Sequence, residues 1–284
     1  MKVLIVGSKG QLGRSLLATA PDDVTIVSHG SDTLDITDGD AVDTTVAQVE
    51  PDIVFNAAAY TAVDKAEADE EMALAVNATS VGHLARATHR AHARFVHVST
   101  DFVFDGLSGR PYAPDAPTAP LGVYGRTKLA GELAAGEDAL IVRTAWVYAA
   151  TGANFVRTML RLMVERSEVR VVADQIGTPT YAPGLADALW TMARKRARGI
   201  HHYTDAGACS WYDFAVAIQE EALSAGLLAQ AVPVIPIRTV DYPTPAPRPH
   251  YSVLDKTSAF DILGGPAPHW RTPLRAMIAE IKHG

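Results

Sequence analysis

Five short runs of β-branched and aliphatic residues, each followed by residues with helical spacing, constrain this chain more than any other feature. The runs are Val3–Val6, Val24–Val27, Ile53–Phe55, Phe95–Val98 and Leu140–Val142. The spacing between them predicts helices over Gln11–Thr19, Ala41–Val49, Glu67–His92 and Tyr124–Ala135. Short buried strands separated by roughly 10–20 helical residues are the pattern of βαβ units in a parallel sheet. Right-handed crossovers then put helices on both faces of that sheet. The expectation is a doubly wound α/β domain that binds a nucleotide.

After about Trp146 the pattern changes. Asn154–Glu165, Tyr181–Arg196 and Tyr212–Leu223 read as helices and Val169–Val172 as a strand, so a smaller, mixed α/β C-terminal unit follows the first. At 284 residues the chain is long enough for about two domains and needs no disulfide or metal to hold a core. Pro243, Pro245, Pro247 and Pro249 resemble a linker, but strand-like and helix-like segments follow them, which places them inside a domain. The net charge of −7 argues against nucleic acid and anionic membranes as partners. Cys209 is the single cysteine, which excludes a disulfide framework and a Cys-based zinc site. Val3–Val6 stops at Gly7, too short for the h-region of a secretory signal, and a cytoplasmic location is expected.

Gly7-Ser8-Lys9-Gly10-Gln11-Leu12-Gly13 follows the first strand and opens the first helix. Glycines there let the backbone turn tightly and approach a pyrophosphate at the helix N-terminus. An acid about 20 positions on would bind the ribose of NAD. Ser28 stands at that place, taken as just past the second strand, while Asp32 and Asp35 lie further on. That hints at NADPH.

Tyr124 and Lys128 are four positions apart, on one face of a helix. A neighbouring cation stabilises a phenolate and lowers the tyrosine's pKa. Val98-Ser99-Thr100-Asp101 ends a strand, where open α/β sheets bind ligands. A hydroxyl, a tyrosine and a lysine in this order behind a glycine-rich turn form a coherent set.

These residues resemble the extended short-chain dehydrogenase/reductase superfamily. Asn56-Ala57-Ala58-Ala59-Tyr60-Thr61-Ala62-Val63-Asp64, Ser99-Thr100-Asp101-Phe102-Val103-Phe104-Asp105-Gly106 and Tyr124-Gly125-Arg126-Thr127-Lys128 narrow the resemblance to the dTDP-4-dehydrorhamnose reductase family. So do Asp174–Thr180 and Tyr242–Pro249, and the matched stretches run in order over essentially the whole chain. The resemblance implies a Rossmann-like domain over 1–148, with a contribution from about 176–206, and a sugar-nucleotide domain over 149–175 and 207–284. It implies reduction of the C4 ketone of a dTDP-4-keto-6-deoxyhexose, with Tyr124 as proton donor, Lys128 on the nicotinamide ribose and Thr100 on the carbonyl. A related natural-product deoxysugar reductase and a non-catalytic NADP-binding relative are the alternatives.

By the same resemblance, Gly10, Gln11 and Leu12 match the pyrophosphate loop, Asp35 and Ile36 the adenine contact, and Ala58, Ala59, Tyr60 and Thr61 the cofactor segment. Val63, Asp101 and Trp146 match substrate contacts, while Arg248 is the candidate for the diphosphate and Arg143 a weaker one. NADPH is the expected cofactor, with NADH also accepted. The expected assembly is a monomer or weak homodimer. Arg14-Ser15 replaces a glutamate that some family members use in a Mg²⁺ bridge, so no structural metal is expected. Asp64, Glu67, Asp69, Glu70 and Glu71 read as a solvated helix start, and His89, His92 and His97 as surface histidines rather than zinc ligands.

Overall fold

The computed structural model describes residues 1–283. Six strands form the main sheet: β1 (Lys2–Val6), β2 (Thr25–His29), β3 (Ile53–Asn56), β4 (Arg94–Thr100), β5 (Leu140–Thr144) and β6 (Gly199–His202). All are parallel, in the order β6-β5-β4-β3-β1-β2. The chain leaves β1 for β2 on one side and crosses back to β3 on the other. The point where the order reverses therefore lies between β1 and β3, and open α/β sheets bind ligands outside the carboxyl ends there.

Eight longer helices pack around the strands: α1 (Gln11–Ala18), α2 (Gly39–Val49), α3 (Ser80–Arg90), α4 (Val123–Ala135), α5 (Phe155–Glu165), α6 (Ala182–Arg194), α7 (Trp211–Ala225) and α8 (Arg271–His283). Successive side chains of a strand point to opposite faces, so a strand covered on both sides must be apolar throughout. In β1, Val3 and Ile5 join Leu16, Leu185 and Leu189 under α1 and α6. Leu4 and Val6 join Val42, Val46, Val81 and Leu84 under α2 and α3. The sheet is doubly wound, as its sequence pattern predicts.

A separate core holds Tyr148, Val156, Met159, Val171, Phe214, Ile218, Leu274 and Met277 between α5, α7, α8 and the parallel pair Val169–Val172 and Val234–Ile237. Val156, Met159 and Met163 share the buried face of α5, whose N-cap Asn154 accepts from the backbone N–H of Arg157 at 3.1 Å. This is the mixed α/β unit. No helix among the described residues is long and apolar enough to cross a membrane.

Two expected elements differ. The helix expected over Glu67–His92 is broken into Glu70–Leu74, a π-helical turn at Ala75–Thr79 and α3, with a separate short helix, Val63–Ala66, ahead of it. The widened turn re-aims Asn77, a use to which π-bulges are often put. The second strand runs on to His29, because its last residue pairs with Val6 and its carbonyl closes the glycine turn. Ser28 is therefore inside β2 rather than past its end, and it is exposed.

Candidate active site

Gly7 has φ +80°, and a Cβ on it would overlap the backbone of Ala57 and Ala58 at the end of β3. A Cβ on Gly13 would overlap the carbonyl of Gly7, so glycine is required at both places. The N–H groups of Gly7 and Ser8 both donate to the carbonyl of His29, at 2.9 and 3.0 Å. Gly10 caps α1 with no side-chain bond, and no acid lies in the first turn. The first amides of α1, from Gln11, Leu12 and Gly13, therefore lack a side-chain partner, which suits an anionic pyrophosphate. Gln11 also ties this turn to the second core, since its Oε1 accepts from Nδ2 of Asn154 at 2.9 Å.

Across the crevice, Asn77 clamps the segment after β3. Its Oδ1 accepts from the backbone N–H of Tyr60 at 2.8 Å, and its Nδ2 donates to the Tyr60 carbonyl and to Thr127 Oγ1 at 3.2 and 3.1 Å. Ala58, Ala59, Tyr60 and Thr61 are thus joined to the helix that carries Tyr124 and Lys128. The Tyr60 hydroxyl turns away to Asp69, 3.0 Å away, and burial with that carboxylate raises its pKa. Sequence reasoning missed Asn77; its one signal was a polar residue on the inner face of an otherwise apolar helical stretch.

Thr100 ends β4, buried, and its hydroxyl donates to Asp101 Oδ1 at 3.0 Å while accepting from the N–H of Phe102 at 3.3 Å. A Cβ on Gly125 would overlap the carbonyl of Phe102, so glycine lets α4 press against this turn. Tyr124 consequently packs its ring edge-on to Phe102, with centroids 5.5 Å apart. Desolvation pushes the Tyr124 phenol up to about 12; the Thr100 hydroxyl draws it down and the Asp101 charge adds to the rise. Lys128 is not among the groups that move it, and the cost of removing a phenolate from water sets the direction. A phenol in this state keeps its proton at neutral pH. Asp101 is fully buried, and desolvation lifts it to about 6 against hydrogen bonds from Ser252 and Thr100.

Lys128 is buried, donates from Nζ to the carbonyl of Val98 at 2.7 Å, and lies 3.3 Å from Nε2 of His97. Desolvation lowers its amine to about 8, and Glu132 one turn on opposes that shift. Glu132 accepts from Ser99 Oγ at 2.5 Å and from Nε and Nη2 of Arg143 at 2.8 and 2.7 Å. Arg143 also donates to the Pro114 carbonyl and lies over the Phe104 ring. The arginine considered for the diphosphate is therefore spent on a buried pair whose side chains are each 3% exposed.

The acidic run is a solvated helix start only at Glu70 and Glu71, exposed in the first turn of Glu70–Leu74. Glu67 Oε1 accepts from the N–H of Val123 at 2.8 Å and so caps α4. Asp64 takes Nη1 and Nη2 of Arg248, each at 2.7 Å, and accepts the Ala246 N–H at 3.2 Å. Asp69 binds Tyr60 and Glu70 pairs with Arg126. Asp64 and Glu67 pack against the proline-rich stretch and α4, which is why these two find partners there. Of the three histidines, His97 is fully buried rather than on the surface.

The proline-rich stretch lies inside the fold. Gly106, at φ +75°, would overlap Pro249 if it carried a Cβ, and its carbonyl accepts from Tyr251 N–H at 3.2 Å. Arg248 arrives beside Val63 and Asp64 in this way. Trp146 has φ 49°, unusual for a bulky residue, and stacks on Trp211 with centroids 3.5 Å apart over Gly177. At the β2 end, Lys9 and Asp32 pair at 2.7 Å above Gly30. Asp35 is turned on to Thr37, and Ile36 is part of the core.

The family model described as "RmlD substrate binding domain" matches residues 1–283. A dTDP-4-dehydrorhamnose reductase of Burkholderia thailandensis is 44% identical over 295 residues, covering 99% of each chain. That of Escherichia coli K12 is 40% identical over 99% of this chain and 98% of its own. Among solved structures, a dTDP-4-dehydrorhamnose reductase of Clostridium acetobutylicum superposes with a TM-score of 0.93 at 38% identity, covering 99% of this chain and 100% of that one. The Bacillus anthracis enzyme in complex with NADP gives 0.93 at 35% identity, over 98% and 99% of the two chains. With its glycine turn, its Thr100/Tyr124/Lys128 set and these full-length matches, the chain belongs to the dTDP-4-dehydrorhamnose reductase family.

Proposed function

We propose that the protein reduces the C4 ketone of dTDP-4-dehydro-β-L-rhamnose to dTDP-L-rhamnose, with NADPH and, less well, NADH. Reducing a ketone needs a hydride on carbon and a proton on oxygen. The nicotinamide dinucleotide, when bound, supplies the hydride. The observation that carries the reading is the placing of Tyr124, pressed by Gly125 against Phe102 at the Thr100 end of β4, at the same end of the sheet as the glycine cradle. Tyr124 donates its proton to the sugar oxygen, and the Thr100 hydroxyl hydrogen-bonds the charge developing there. Lys128 holds the ribose, and the first amides of α1 hold the pyrophosphate.

Residues 1–148 and about 176–206 carry the cofactor; 149–175 and 207–284 carry the sugar nucleotide. Val63, Asp101 and Trp146 line that second half of the site. Arg248 faces the substrate diphosphate with the donors it does not give to Asp64, whose bidentate grip sets the angle of the guanidinium. All these residues come from one chain, so a monomer or weak homodimer suffices. Cys209, a buried free thiol, suits the cytoplasm.

The test is NADPH oxidation on adding the ketosugar made in situ by a dehydratase and an epimerase, run beside several other dTDP-ketosugars. Fastest turnover of the rhamnose precursor supports the reading. Faster turnover of another ketosugar would reassign the substrate, and none with any would make the protein a binding relative.

A further inference from the structure

His97 has no part in the reaction as described, yet its surroundings fix where its proton lies. Asn56, at the end of β3, is 1% exposed, and its Oδ1 accepts from the backbone N–H of Ala58 at 3.1 Å. A backbone N–H only donates, so the amide oxygen must face it and Nδ2 must face His97, whose Nδ1 is 3.2 Å away. An amide NH₂ also only donates. Nδ1 therefore accepts and carries no proton. Burial and the nearby Lys128 hold the imidazole well below its ordinary range, so it is neutral. Its single proton is on Nε2, and Nε2 lies 3.3 Å from the Lys128 amine.

An ammonium has three donors and no lone pair, so facing an N–H it gains nothing; a neutral amine can accept. We propose that His97 is a positioning residue for the reaction, presenting its Nε2–H to the Lys128 amine and so setting how readily the lysine gives up its proton. The remaining groups around this amine are consistent with such a balance. Tyr124 and Glu132 lie on its own helix; the Val98 carbonyl and the Ser99 and Thr100 hydroxyls come from β4. Asp101 follows, Asn56 comes from β3, and Arg143 of β5 neutralises Glu132. Burial favours loss of the proton and the Nε2–H of His97 acts in the same direction, while Glu132 and the Val98 carbonyl, which accepts from the amine at 2.7 Å, favour its retention. An amine poised in this way changes protonation within the working range of pH, as a site that gives up one proton per turnover requires.

The inference rests on Lys128 belonging to the site, and its first test does not depend on turnover. In the full-length protein with ¹⁵N-labelled histidine, with and without NADP⁺, the one-bond N–H coupling of His97 should appear at Nε2. Coupling at Nδ1 overturns the proposal. The second test compares pH profiles of kcat. His97→Phe keeps a ring of similar size but removes the donor. It should move the alkaline limb upward by about half to one pH unit, the scale of one hydrogen bond. His97→Gln, whose oxygen can accept from the amine, should move it at least as far. A purely structural role would lower kcat equally at every pH and leave the limb in place in both variants, which also overturns the proposal.

Discussion

The two ends of the same six strands are built from similar side chains and do different things. At the carboxyl ends, Lys128, Arg143 and Arg248 are each held by a carboxylate or a carbonyl in a buried or half-buried setting. At the amino ends lies an open cavity of about 630 Å³, lined by Arg86, His89, Arg94, Arg196, Arg198 and Glu137 among others. Helices α3, α4 and α6 end there, and cations suit the negative ends of helices. Arg90 pairs with Asp43 and Arg198 with Asp138, with all four side chains substantially exposed. A cavity rich in charge therefore does not by itself mark the chemical end. What distinguishes the chemical end is convergence: helix N-termini, a hydroxyl, a phenol and an amine whose protonation the fold has shifted.

The harshest way to break this contrast is to remove one oxygen. Tyr124→Phe should lower kcat by about 10²–10⁴, the usual cost of a lost general acid, while dinucleotide affinity stays within a few-fold. Arg94→Ala, in the cavity at the other end, should leave kcat/KM within about twofold. Steady-state kinetics and fluorescence titration of the dinucleotide read both. A tenth or more of the normal kcat in Tyr124→Phe would remove the tyrosine as the acid.

The buried pair tests the same contrast through stability. Arg143→Met strands the Glu132 carboxylate among apolar groups and should cost about 3–5 kcal/mol in urea unfolding. Arg198→Ala breaks an exposed pair, and its unfolding midpoint should not change measurably. Equal effects would mean that burial does not separate the two ends.

Much of this arrangement was legible in the sequence, and the illegible part has one cause. The strand–helix alternation gave the sheet, since apolar runs such as Val3–Val6 admit few other environments, and Gly7, Gly13, Thr100, Tyr124 and Lys128 were readable from chemistry at known spacings. Asn77, Glu67 and His97 were not, because each acts through a residue far away in the sequence. Asn77 reaches back to Tyr60 only through a π-turn that periodicity cannot reveal. Glu67 caps a helix 56 positions on. A signal for His97 did exist: Phe95, His97 and Ser99 share one face of β4, so two polar groups on a buried strand needed partners. Lys128 and Glu132, one turn apart on α4, are those partners.

Acid should weaken the fold through the histidines at this end. Burial and the Arg143 charge lower His202 from 6.5 to about 3, and His97 is lowered as well. At these histidines the unfolded chain binds more protons between about pH 6.5 and 3, so their contribution to stability rises with pH across that window. Asp101, raised to about 6, and Asp205, raised to about 7, contribute the opposite slope above about pH 4. The histidine contribution should be intact above pH 6.5 and fall by on the order of a few kcal/mol towards pH 4. Denaturant midpoints at several pH values give the slope, and His202→Phe should flatten it. An unchanged slope would assign the acid sensitivity to other groups.

Arg248→Ala should raise KM for the sugar nucleotide about tenfold and spare kcat, and Asp64→Asn should share that phenotype in milder form. If Asp64→Asn instead tightens substrate binding, the pair competes with the diphosphate rather than orienting the arginine.

The smallest expected effect concerns cofactor choice, and it moves from Ser28 to a neighbouring corner. Ser28 lies within β2, whereas Lys9 and Asp32 meet just past the end of that strand, over Gly30. An adenosine ribose at the carboxyl end of β2 reaches this pair first. Lys9 hydrogen-bonds Asp32 and holds its carboxyl below the usual range, so the corner presents one cation and one anion. The cation favours the 2′-phosphate of NADPH, while the carboxylate repels it and offers an acceptor to the ribose hydroxyls of NADH. Neither cofactor is excluded, and the preference for NADPH should be about tenfold or less, the scale of one charge-assisted hydrogen bond. Asp32→Asn frees Lys9 and should raise the ratio of kcat/KM for NADPH over NADH several-fold; Lys9→Ala should lower it by a similar factor. Ser28→Asp then becomes the control, with an effect smaller than either. If Ser28→Asp changes the ratio most, the ribose lies along β2 rather than beyond it, and the Lys9–Asp32 pair is only an exposed ion pair.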